Sequence, residues 1–102
     1  MLSRAGQVMD RNGLTKAGRA LEKHSSRNGS VFPKVTGSAF NKNIQAQYHL
    51  DNILTHPGSK IRNWNHRDFG KIIDFEVARL GGARFYQNGG FIGLLEPQKW
   101  IH

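Results

Sequence analysis

The sequence predicts an α+β fold, with N-terminal helices packed on a twisted antiparallel sheet of about four strands. Three observations carry this. Apolar residues recur at three and four positions in two stretches before Pro57. β-forming residues dominate after it, and turn signals divide that second half into separate runs. Helices followed by strands, rather than alternating with them, give an antiparallel sheet with helices on one face.

Residues 1–13 are polar and Gly-containing, with Leu2, Val8 and Met9 as the larger apolar residues after Met1, and suit a linker or an ordered arm. The apolar run of a signal peptide is missing there. The domain proper spans 14–102. Thr15 is placed to cap a short amphipathic helix in which Ala17, Ala20 and Leu21 alternate with Lys16, Arg19, Glu22 and Lys23, ending near His24. Residues 25–37 carry Ser, Gly and Pro around Val31, Phe32 and Val35, the composition of a surface loop with apolar pins. Ser38 is placed to cap a second helix through Phe40, Ile44, Tyr48, Ile53 and Leu54, which Pro57-Gly58 must end.

Strand formers follow: Ile61 and Trp64, then Phe69 to Val77, then Ala83 and Phe85, then Phe91 to Leu95. Gly81-Gly82 and Asn88-Gly89-Gly90 lie between runs. Asn88-Gly89 reads as a type I′ hairpin turn, whose two central residues need positive φ.

Composition bounds the function. The chain has 102 residues, 15 Lys plus Arg against 7 Asp plus Glu, and a net charge of +8. An anionic partner follows, nucleic acid or an acidic protein above all. Cysteine is absent, which excludes a disulfide scaffold and thiolate zinc sites. No apolar run approaches the roughly 20 residues of a membrane span. No histidine pair has metal-binding spacing with a nearby carboxylate, and no Gly-rich nucleotide fingerprint occurs, so no metal or cofactor is expected.

The densest functional candidate is Lys16, Arg19, Lys23, His24 and Arg27. Lys16, Arg19 and Lys23 share a helix face, as a solvated basic surface or as a phosphate grip. In the second reading His24 exchanges protons near neutral pH and Arg27 braces phosphate oxygens. These are the parts of a metal-free ribonuclease. Lys60, Arg62, Trp64 and His66 interleave cations with an aromatic able to stack on an unpaired base, or guard an edge strand. Arg84 and Tyr86 share a sheet face and are suited to meet phosphate and sugar. Asp74 and Glu76 also share a face, where they order a cationic site or, more plainly, lie in solvent. His49 and His102 are set aside.

The block from Leu14 to Arg27, then Phe32-Pro33, Asp51 to Leu54 with Pro57-Gly58, and Asn88-Gly-Gly-Phe-Ile-Gly-Leu-Leu-Glu-Pro97, resembles the C-terminal tRNase toxin domain of contact-dependent growth inhibition and other polymorphic-toxin proteins. The resemblance covers about residues 14–97. It implies a barnase/EndoU/colicin/RelE-like ribonuclease fold at the C-terminal tip of a secreted or cell-surface effector. It further implies cleavage of tRNA at or near the anticodon loop in the cytoplasm of a rival bacterium. A cognate, acidic immunity protein would neutralise the domain in its producer, and a need for a host activating factor is left open.

Carried over by residue, the resemblance puts His24 and Arg27 in the family's Lys-His-x-Ser-Arg block and Arg84 in its Gly-x-Arg-aromatic strand. Ser25 and Tyr86 depart from the usual Gly and Asp. The reaction expected is transesterification to 2′,3′-cyclic phosphate and 5′-hydroxyl ends, with Tyr86 or Thr36 as a second hydroxyl donor. The rival readings are a non-catalytic nucleic-acid-binding module and a metal-dependent DNase.

Overall fold

The computed structural model describes residues 2–97. His102 lies outside the described residues. The elements are α1 (Leu2–Ala5), α2 (Lys16–Ser25), α3 (Ala39–Thr55), β1 (Lys60–His66), β2 (Gly70–Val77), β3 (Gly81–Tyr86) and β4 (Phe91–Leu95). The strands form one antiparallel meander in the order β1-β2-β3-β4, so helices then sheet is the observed arrangement. No described helix is long and apolar enough to cross a membrane.

Local chemistry sets the helix ends. Thr15 Oγ1 accepts from Gly18 N at 2.9 Å and Ser38 Oγ accepts from Asn41 N at 3.2 Å, each satisfying an otherwise orphaned first-turn donor. α3 ends at His56, whose ψ of 131° is the extended conformation that a following proline imposes. α2 and α3 pack closely because position 18 is glycine: a Cβ there would collide with Asn43 Oδ1. That same oxygen accepts from Thr15 N at 2.9 Å. Residues 2–13 lie on this helix pair. Ser3 Oγ donates to Asp51 Oδ1 at 2.6 Å, and Ala17 N donates to Gly6 O at 2.9 Å.

Strand alternation sends Phe75, Val77, Ala83, Phe85, Phe91 and Leu94 into one core with Ala17, Leu21, Phe32, Ala46, Leu50 and Ile53 from the helices and loop. Phe32, one of the expected apolar pins, enters this core over Gly81. A Cβ at Gly81 would stand 2.5 Å from its ring, and φ there is +93°. Gly81 and Gly82 thus open β3, and the turn before it takes positive φ at Arg79.

Two expectations are corrected. The β3–β4 turn is not type I′: only Gly89 takes positive φ, at +109°. Tyr86 N donates to Gly90 O at 2.8 Å and Gly89 N to Tyr86 O at 2.9 Å, which is a three-residue loop with its left-handed residue last. Asn88 stays at negative φ and its side chain accepts from Gly90 N at 3.2 Å. Asp74 and Glu76 are buried rather than solvated, Asp74 completely. Trp64 of β1 and Arg84 of β3 close over Asp74 from both sides.

Candidate functional site

α2 turns Ala17 and Leu21 into the core, which leaves Lys16, Arg19 and Lys23 on the opposite side. There they form one wall of a cleft of about 450 Å³, together with Ala20 and His24. Asp10 joins them through an ion pair to Arg19 Nη1 at 3.0 Å. The other wall is the edge strand β4 from Phe91 to Leu94, with Phe69 and Tyr86.

His24 lies in the last turn of α2, where the helix dipole favours a cation. Its Nδ1 lies 2.9 Å from Oε2 of Glu96, the residue after β4. Glu96 is only 3% exposed. Its Oε2 also accepts from Ser30 Oγ at 2.7 Å and its Oε1 from Val31 N at 3.1 Å. Burial pushes the Glu96 carboxyl up, but the hydrogen bonds from Ser30, His24 and Val31, with the charge of His24, outweigh burial and hold it below its ordinary value. A carboxylate only accepts, so in the neutral His24 ring this contact fixes the proton on Nδ1 and leaves Nε2 bare. Arg27 Nη1 comes within 3.5 Å of His24 Nδ1. With Nδ1 protonated both atoms are donors, so the contact is proximity of a cation and not a bond.

The sheet face turned away from the helices carries the second cluster. Arg84 donates through Nε and Nη2 to the two oxygens of Asp74 at 2.8 and 3.0 Å, and Trp64 Nε1 donates to Asp74 at 2.9 Å. The Arg62 guanidinium lies 4.2 Å from the centroid of Trp64. These bonds engage Nε and Nη2 of Arg84, and Arg84 does not line the cleft.

Of the residues singled out from sequence, Lys16, Arg19, Lys23, His24 and Tyr86 meet in the cleft, with Arg27 beside His24. Arg62, Trp64 and His66 lie on the adjoining sheet face, and Lys60 opens β1 opposite Glu76. Thr36 does not line the cleft, and its carbonyl accepts from Gln45 Nε2 of α3. Glu96 was missed as a site residue, although it stands inside the quoted ending Leu94-Leu95-Glu96-Pro97. A carboxylate directly after two strand leucines was the available signal. The described residues contain no group of three or more His, Cys, Asp or Glu able to hold a metal ion.

Helices on one face of an antiparallel meander, with a cationic cleft holding a carboxylate-buttressed histidine, define a small α+β domain equipped for an anionic substrate. The sequence matches the CdiA C-terminal tRNase toxin domain over residues 2–96, so the chain belongs to that family of contact-dependent growth inhibition toxins. The fold is similar to the toxic C-terminal tip of CdiA from Pseudomonas aeruginosa, solved in complex with its immune protein. The TM-score is 0.77 at 29% identity, over 90% of this chain and 98% of that one. No curated protein matches.

Proposed function

We propose that this domain cuts tRNA at or near the anticodon loop by metal-independent transesterification, with His24 and Glu96 as its working pair. The observation that carries this is the Glu96 carboxylate on His24 Nδ1 at the cationic cleft. In this reading Nε2 takes the proton of a 2′-hydroxyl, the 2′-oxygen bonds to the adjacent phosphorus, and the P–O5′ bond breaks. The leaving 5′-oxygen takes a proton from the Tyr86 hydroxyl, and the imidazolium returns its own through solvent to reset both groups. Lys23 and Arg27, beside His24, offset the charge that grows on the phosphoryl oxygens, while Arg84 stays paired with Asp74 on the other sheet face.

A cognate acidic immunity protein would cover the cleft wall of α2, in keeping with the immune protein bound to the CdiA tip from Pseudomonas aeruginosa. The site of action is the target-cell cytoplasm, where tRNA is found. The test is incubation of the purified domain with total tRNA in EDTA, followed by mapping of the ends. Cuts with cyclic phosphate and 5′-hydroxyl ends are expected. Strict dependence on an added divalent ion, or 5′-phosphate products, would refute the mechanism.

A further inference from the structure

The two walls of the cleft differ in kind. The α2 wall offers Lys16, Arg19, Lys23 and His24, which suit phosphate, while the facing wall offers the rings of Phe69 and Tyr86. Phe69 sits in the turn between β1 and β2, where polar residues are the rule, yet it is 39% exposed, and Tyr86 is 37% exposed. Exposure alone is no signal, since Phe40 and Tyr48 of α3 are each 71% exposed; what sets Phe69 and Tyr86 apart is that both line the cationic cleft.

These rings are also held in place. The Phe69 centroid lies 4.8 Å from that of His66 and 6.1 Å from that of Tyr86. His66 Nδ1 accepts from Asp68 N at 3.0 Å and from Phe69 N at 3.4 Å, which braces the turn. The His66 ring lies 5.4 Å from that of Trp64, whose Nε1 is anchored on buried Asp74. The turn thus rests on the buried charge pair of the sheet, and Phe69 is presented at the cleft at little further ordering cost.

We propose that Phe69, with Tyr86, forms a base-stacking subsite for the unpaired nucleobase next to the scissile phosphate. The base lies against the aromatic wall while its phosphate rests on the α2 cations. This division of the cleft matches the two halves of a nucleotide. Every base has a π-face, so the subsite selects unpaired over paired RNA rather than one base over another. The inference rests on the ribonuclease reading and names the form of substrate that the same cleft takes.

The test uses an RNA hairpin carrying the mapped cut site in its loop, and the same hairpin with an abasic ribonucleotide on one or the other side of the cut. Phe69→Ala and Phe69→Leu are each expected to lower kcat/KM on the intact hairpin by about 5- to 100-fold, and Phe69→Trp to restore it. Thermal melting of all three should stay near that of the wild type, because the ring lies in a turn outside the core cluster. On one of the abasic hairpins, wild type and Phe69→Ala should cut equally. Wild-type cutting of the intact hairpin by Phe69→Ala, or an undiminished penalty on both abasic hairpins, overturns the subsite and leaves the ribonuclease reading standing. Failure of the wild type to cut any RNA overturns both.

Discussion

Glu96→Gln keeps the shape of the side chain and removes its charge, so it isolates what the carboxylate does for His24. In the wild type, Oε1 accepts from Val31 N, while Oε2 accepts from Ser30 Oγ and from His24 Nδ1. If the amide oxygen of glutamine keeps the Val31 bond, the NH₂ group faces Ser30 and His24. Serine can turn to accept. His24 can accept at Nδ1 only by carrying its proton on Nε2, which is then unable to take one from a 2′-hydroxyl. If the amide flips, its NH₂ meets the Val31 N–H, donor against donor.

The first arrangement costs catalysis, on the order of 10²- to 10⁴-fold, or about 3–5 kcal/mol of barrier. The fold loses the extra strength of charge-assisted bonds, about 1–2 kcal/mol, which is a fall in Tm of roughly 4–12 °C. Single-turnover cleavage of tRNA beside a melting curve separates the two effects. Stability should also respond to pH. The folded Glu96 carboxyl titrates below its ordinary value of 4.5, so its contribution is complete above that pH and lost as pH falls through the lower folded value. Wild-type and Glu96→Gln stabilities should therefore converge as pH drops below about 4.5. Full cleavage by folded Glu96→Gln would refute the claim that this carboxylate sets the working tautomer.

His24→Ala should lower cleavage by about 10²- to 10⁴-fold with its fold intact, and unchanged cleavage would move the proton carrier elsewhere. Arg27→Ala is expected to lose rate by a smaller factor and to keep the cyclic phosphate product, since it removes charge and no proton carrier. His49→Ala should do the reverse: its Nε2 bonds Leu80 O at 2.8 Å and its ring packs on Phe32, so removal costs about 1–3 kcal/mol in urea denaturation while the folded fraction still cuts.

What the sequence revealed follows how local each signal is. Thr15, Ser38 and Pro57 mark helix ends because caps and proline act within a turn, and the alternation of β2 and β3 assigns faces without any partner. The Asn88-Gly89 pair locates its hairpin but not the turn type, since the Asn88 side chain spends its acceptor on Gly90 N. From sequence, Asp74 either orders a cationic site or lies in solvent, because a charge on an alternating strand usually marks the wet face; the structure shows the first, with Arg84 as the cation. The burial of Asp74 depends on Trp64 and Arg84, each ten positions away and brought in by neighbouring strands. The His24–Glu96 pair spans 72 positions, and the cleft exists only once β4 has docked beside α2. Phe69 counted as a strand former, and its turn position is a product of the observed register.

Asp74 and Glu96 are both buried carboxylates that accept several hydrogen bonds and hold a cation, and the same substitution should affect them in opposite ways. The partner of Asp74 is a guanidinium, which is no proton carrier, so the work of Asp74 is to neutralise a charge that the sheet has largely taken out of water. Asp74→Asn turns one of its two acceptor oxygens into a donor that meets Arg84 or Trp64. The loss is about 3–5 kcal/mol, a large share of the 5–15 kcal/mol that holds a domain of this kind together. In the proposed reaction His24 carries the proton, so Glu96→Gln should act on the rate first and on stability second. Urea midpoints and single-turnover rates for the two amides should cross: Asp74→Asn the less stable protein, Glu96→Gln the slower enzyme per folded molecule. If Asp74→Asn is instead stable and slow, Asp74 serves the chemistry through Arg84, and the sheet face belongs to the catalytic centre as much as the cleft does.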